Sequence, residues 1–218
     1  MSKKIDYENG EYYEEVYKNN QNNIIPSLWM ENYYKGVQGV AKDIVHYKDK
    51  SILELGTGYG GFVEVLNNKG FKDVTGSDIN DSIYNKNLPN KHLHLDILDI
   101  TNMSSTYDLV FAFDVLEHID DTDTALKNIT NLLRKDGLLI FSVPYPSFKH
   151  LYDVYHTNMQ MPYFYTNKFN RAGFELKKIK NYTLVPLFWR YKLPIVLPMN
   201  ITFSKCITET FFCFKKSF

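Results

Sequence analysis

Apolar positions along this chain alternate between two periods, and the alternation predicts its elements. Short continuous apolar runs at Ser51–Leu55 (SILEL), Tyr107–Phe113 (YDLVFAF) and Leu138–Val143 read as buried strands. Between and around them, apolar residues recur at helical spacing. Trp29, Tyr33, Val37, Val40, Ile44 and Val45 form an amphipathic stripe over about Leu28–Tyr47, after Pro26-Ser27. Phe62, Val63, Val65 and Leu66 begin a second helix, and Ala125, Leu126, Ile129, Leu132 and Leu133 share one face of a third, over about Thr122–Arg134. Asp136-Gly137 reads as the stop of that third helix, and Pro144 and Pro146 as the stop of the strand that follows. Two weaker strands are expected at Lys72–Asp78 and His92–Ile97, with a brief helix over Asp81–Asn87 before Pro89. Beyond Tyr145 the pattern changes: a helix end at Asn167–Ala172 capped by Gly173, an alternating strand at Phe174–Lys180, and a last strand at Thr210–Lys215. Pro186, Pro194 and Pro198 rule out one long helix in the aromatic stretch 182–208.

Strands alternating with helices predict an α/β domain: a Rossmann-like, doubly wound, mostly parallel seven-stranded sheet with helices on both faces and an antiparallel C-terminal strand. Residues 1–48 are expected to form an N-terminal arm and helix, with the Tyr-rich arm a candidate lid, and 49–218 the main domain, with an aromatic insertion at about 182–208. The hinge of the pattern is SILELGTGYGG, Ser51–Gly61, where a strand runs into a glycine turn that opens a helix. That unit opens nucleotide-binding sheets, whose ligands lie outside the carboxyl ends of the strands.

Charge sharpens this picture by subtraction. The 218 residues carry 25 Lys and Arg against 25 Asp and Glu, so no net field favours nucleic acid. Cys206 and Cys213 lack companions at metal-ligand spacing, and neither a metal nor a disulfide framework is expected. The polar, acidic opening MSKKIDYENGEYYEE reads as neither signal nor transit peptide, and no run reaches the roughly 20 apolar residues of a spanning helix. A cytoplasmic protein, monomer or homodimer, is expected. The aromatic-basic run Trp189-Arg190-Tyr191-Lys192 leaves open a substrate clamp, a peripheral membrane contact through 182–208, or a plain packed lobe.

Four acids stand near four predicted strand ends: Glu54, Asp78, Asp96 and Asp114. Carboxylates in that row suit a ligand rich in donors, such as an adenosine. The string E-x-G-x-G-x-G at Glu54–Gly60, then Asp78, Asp96 and FDVLEHIDD at Phe113–Asp121 followed by GLLIFSVP, resembles the class I S-adenosylmethionine-dependent methyltransferases, in their small-molecule branch. The resemblance spans about residues 50–180. It implies that Asp78 and Ile79 meet the ribose side of S-adenosyl-L-methionine, that Glu54, Gly56 and Gly58 pass near its methionine part, that Asp96 and Ile97 flank the adenine, and that Asp114 and Val115 lie beside it. It further implies methyl transfer to a small acceptor hydroxyl or amine, leaving S-adenosyl-L-homocysteine. His118 and His156 are the candidate bases, and Tyr12, Tyr17, Trp29, Tyr145, Trp189 and Arg190 the candidate acceptor contacts.

Gly56, Gly58 and Gly61 also satisfy the dinucleotide fingerprint G-x-G-x-x-G, so an NAD(P)-dependent oxidoreductase stands as the alternative enzyme. A non-catalytic cofactor-binding partner protein is the alternative outside enzymes. The acid two residues ahead of Gly56 and the Leu116-Glu117-His118 run favour the methyl donor. No N/D-P-P-Y/F string follows the fourth strand, where Phe113-Asp114-Val115-Leu116 stands. Adenine and glutamine-amide acceptors are therefore disfavoured.

Overall fold

The computed structural model describes residues 26–100, 103, 105–146, 158–185, 195–199 and 207–218. Its strands are β1 (Ser51–Leu55), β2 (Asp73–Asp78), β3 (Lys91–His94), β4 (Tyr107–Phe113), β5 (Leu133–Pro144), β6 (Phe174–Val185), β7 (Ile195–Met199) and β8 (Glu209–Lys216). They form one sheet in the order β3-β2-β1-β4-β5-β8-β6-β7. The first five are mutually parallel, and β8 runs antiparallel between β5 and β6. The sheet is thus mostly parallel, as the pattern predicts, and its C-terminal strand is antiparallel. Among the described residues the strand count is eight rather than seven. The addition is β7, which pairs antiparallel with β6 from inside the stretch read as an insertion.

Helices α1 (Pro26–Val40) and α2 (Gly61–Asn68) cover one face, α3 (Thr122–Leu132) and α4 (Pro162–Arg171) the other. Tyr33, Val37 and Val40 of α1 are buried with Phe62, Phe111 and Phe211, so this helix is part of the sheet's core. On the opposite face Ala125, Leu126 and Ile129 of α3 and Tyr165 and Phe169 of α4 pack on Phe141, Phe212 and Phe214. Each such side chain contributes about 1.5–3 kcal/mol of transfer free energy. No helix among the described residues is long and apolar enough to cross a membrane.

Several boundaries move for local reasons. The first helix stops at Val40, because Ala41 leaves helical geometry (φ −134°, ψ 84°) before a 3₁₀ turn at Lys42–Tyr47. The brief helix is one 3₁₀ turn, Asp81–Ile83, capped by the Asn80 side chain. Asp136-Gly137 lies within β5 rather than closing α3: Asp136 is left-handed (φ 63°), and Leu133 has already joined the sheet. β3 ends at His94, which leaves Asp96 in a turn where it accepts from the Leu98 amide at 2.8 Å.

Candidate active site

All five parallel strands end on one edge, and that edge has two halves. The first is built from β1 and β2. Gly56 carries the chain off β1 in the left-handed region (φ 67°), and a Cβ there would overlap Cγ2 of Val115 from the turn after β4. Only glycine meets both demands. Gly60, also left-handed (φ 82°), is the N-cap of α2. Between them the Gly58 amide donates to Oδ2 of Asp78 at 2.8 Å, and the Asn80 amide to Oδ1 at 3.0 Å. The turn is pinned from beneath: Thr57 N–H donates to the Ser77 carbonyl (2.9 Å), and Ser77 Oγ to the Glu54 carbonyl (2.8 Å).

Glu54 is 2% exposed and accepts from the Thr57 hydroxyl at 2.6 Å. Burial pushes its pKa up to about 8, against the opposing pull of Thr57 and the Val63 amide. Burial also raises Asp78, while the amides of Asn80 and Gly58 and the nearby His92 hold it down. A carboxylate oxygen has two lone pairs, and each oxygen of Asp78 uses one on a backbone amide. The remaining pair on each matches a vicinal diol, so the residues present fit a ribose. Three buried polar atoms without hydrogen-bond partners gather at the same strand end: Asn80 Nδ2, Tyr84 OH and His92 Nε2. The Tyr84 ring is stacked on His92 with centroids 4.1 Å apart. Such orphaned groups are what a polar ligand satisfies.

The second half is built from β4, β5, β8 and α1. Asp114 leaves β4 in the left-handed region (φ 53°), strained for a residue with a Cβ. Its Oδ2 accepts from the Tyr33 hydroxyl and its Oδ1 from Ser142 Oγ at 3.2 Å. Glu209, at the start of β8, pairs in register with Pro144 at the carboxyl end of β5, and its side chain lies beside Asp114 and Ser142. Glu117 is fully buried on the 3₁₀ turn Leu116–His118. Burial pushes Glu209 well above the usual carboxylate range, and Asp114 and Glu117 push it further; burial and Asp114 likewise raise the Tyr33 phenol. His118 Nε2 is 3.9 Å from Glu117 Oε1.

The structure thus brings Glu54, Gly56, Gly58, Asp78, Ile79, Asp114, Val115 and His118 to one edge. Ile97 sits beyond β3, its carbonyl accepting from Asn128 of α3 at 2.8 Å. Trp29 lies on α1 with its ring 6.0 Å from Tyr33, and Tyr145 is buried just past β5. Tyr12, Tyr17, His156, Trp189 and Arg190 lie outside the described residues. Sequence reasoning missed Tyr33, Asn80, Glu117 and Glu209 as site residues. One signal was there for Glu209: an acid just before an antiparallel strand stands on the same edge as acids that follow parallel ones. Among the described residues no three His, Cys, Asp or Glu side chains converge on one metal position.

The family described as a methyltransferase domain matches residues 34–181. A curated ubiquinone biosynthesis O-methyltransferase of Coxiella burnetii is 29% identical over 116 residues, which cover 49% of each chain. The chain therefore spans about half the length of the curated relatives it matches. Among solved structures, an S-adenosylmethionine-dependent methyltransferase from Clostridium acetobutylicum superposes with a TM-score of 0.63 at 13% identity, covering 95% of this chain and 98% of that one. Another, from Archaeoglobus fulgidus, gives 0.62 at 17% identity, covering 83% and 93%. At these identities the structures speak for the fold.

Proposed function

The chain belongs to the methyltransferase-domain family, and on that premise we propose that it moves the methyl group of S-adenosyl-L-methionine to a small acceptor through a hydroxyl or amine. The observation that carries this reading is Asp78, held by two backbone amides so that one lone pair on each oxygen meets the ribose hydroxyls. The glycine turn lets the backbone approach the methionine part, Asp96 and Ile97 flank the adenine, Ile79 lies on the ribose side with Asp78, and Val115 lies beside the turn. Glu54, held largely protonated at neutral pH by burial, fixes Thr57 and through it the turn. When bound, the donor supplies a methyl group on a sulfonium, and its departure leaves the neutral thioether S-adenosyl-L-homocysteine.

A sulfonium is already a good leaving group, so the chain's work is positioning, which is worth about 7–11 kcal/mol when reactants are held in line. His118 takes the acceptor's proton where the acceptor is a hydroxyl, for about 10²–10⁴-fold in rate. The Glu117 carboxylate beside its ring stabilises the imidazolium that results. His156 is the second candidate base, and Tyr12, Tyr17, Trp29, Tyr145, Trp189 and Arg190 are proposed to shape the acceptor's side.

Equilibrium binding tests the reading: S-adenosyl-L-homocysteine should bind and NAD should not. Binding of NAD alone overturns it. His118→Ala at saturating donor should lower kcat by about 10²–10⁴-fold for a hydroxyl acceptor; an unchanged kcat removes His118 as the base.

A further inference from the structure

The second half of the edge holds more negative charge than a methyl donor calls for. Asp114 from β4, Glu117 from the next turn and Glu209 from β8 come together beneath Tyr33 of α1. The charges that act on Glu209 are those of Asp114 and Glu117, and the same carboxylates act on Tyr33. The basic ring beside them is His118, 3.9 Å from Glu117. Ser142 and Tyr33 donate one hydrogen bond each to Asp114. Glu209 is 4% exposed, yet its Oε1 has no hydrogen-bond partner. An acceptor oxygen buried without a donor is costly, and more so when charged. Thr210 beside it is also buried, and its hydroxyl is satisfied by Asn181 at 2.9 Å.

We propose that this cluster is the acceptor's recognition site and that the acceptor carries a small organic ammonium, its N–H groups donating to Glu209 Oε1 and Asp114 while a separate hydroxyl or neutral amine of the same molecule, which keeps its lone pair, takes the methyl group. The proposal rests on the methyl-donor reading for the reaction, and on the cluster itself for the charge. An ammonium brings donors without acceptors, the complement of a site of carboxylates. The three acids do not converge as a ligand set for one metal ion, which favours an extended organic cation. Aromatic rings close the α1 side: Tyr33 lies edge-on to Phe113 at 5.4 Å and to Phe211 at 5.7 Å, and Trp29 is edge-on to Tyr33. Those rings give the hydrocarbon part of an organic cation an apolar wall.

The test uses the full chain saturated with S-adenosyl-L-homocysteine, titrated calorimetrically with 2-phenylethylammonium and n-butylammonium, each paired with its neutral alcohol. The ammonium of a pair should bind at least tenfold tighter than the alcohol. In Glu209→Gln the preference should collapse while affinity for S-adenosyl-L-homocysteine stays the same. Equal binding of ammonium and alcohol, no binding of either, or a preference that survives in Glu209→Gln overturns the proposal. Should Glu209→Gln fail to fold, the ammonium-alcohol comparison on the unaltered protein decides it alone. A chain that discriminates the ammonium but does not bind S-adenosyl-L-homocysteine keeps this inference and loses the methyl-donor reading.

Discussion

At the ends of β1 and β2 each carboxylate is answered by the chain near it: Asp78 by the amides of Gly58 and Asn80, Glu54 by the hydroxyl of Thr57. At the ends of β4 and β5 the carboxylates answer one another. Asp114 takes the two hydroxyl donors, Tyr33 and Ser142, and Glu117 and Glu209 stand near enough for the carboxylates to repel one another. The carboxylates of the first half are held before a ligand arrives, leaving Asn80 Nδ2, Tyr84 OH and His92 Nε2 for the ligand to satisfy, whereas in the second half a carboxylate oxygen itself, Glu209 Oε1, is left without a donor. A pocket can therefore be preorganised for the partner it always uses while its other half stays strained toward the partner it must select.

The comparison is most exposed at Asp78. Asp78→Ala removes the proposed bonds to both ribose hydroxyls, each worth about 1.5–3 kcal/mol as a charged hydrogen bond, so S-adenosyl-L-homocysteine should bind at least a hundredfold more weakly by calorimetry. Unchanged affinity would mean that the donor does not sit in the first half. Next in size is Gly56→Ala, which combines a left-handed backbone with overlap at Val115 and should cost about 2–3 kcal/mol in denaturant unfolding. Adding Val115→Ala should recover the overlap part and leave the backbone part.

Protons give a third test. Glu54 and Glu209 both have folded pKa values raised above their unfolded ones, so the folded state binds more protons and stability falls as pH rises. For Glu54 the window runs from the ordinary carboxylate range up to about 8. One such group gives a slope of up to about 1.4 kcal/mol per pH unit. Urea unfolding at pH 5, 6.5 and 8 should show this fall, and Glu54→Gln and Glu209→Gln should each flatten it. If only Glu54→Gln does so, the second half is less strained than argued. The smallest effect belongs to Tyr33→Phe, which deletes one donor to Asp114 and should cost about 1–2 kcal/mol without touching affinity for S-adenosyl-L-homocysteine.

The two halves also differ in how plainly the sequence announces them. The bonds of the first half join residues 2, 3 and 20 apart, all inside one strand-turn-helix-strand unit, so a single spacing pattern exposes Glu54, the glycines and Asp78. Tyr33 and Asp114 are 81 residues apart, and Ser142 and Asp114 are 28. No local period links them; they meet only because α1 lies against the sheet and β8 inserts beside β5. The same distinction explains the fold. Strong apolar runs gave β1, β4 and β5 their correct places, and the alternation at Phe174 with the run at Thr210 gave the antiparallel pair. β7 escaped because Ile195–Met199 carries a proline, and strand pairing at an edge tolerates what a central strand does not.

That same short strand has a consequence for how copies of the molecule behave toward one another. An outer strand written Ile-Val-Leu-Pro-Met, with Leu197 exposed, is sticky enough to recruit a further strand from a neighbouring chain. Pro198, opposite Tyr182, has no amide hydrogen to offer, so the ladder cannot be continued without a gap. The residue that hid the strand from its sequence pattern thus also leaves the outer strand one donor short.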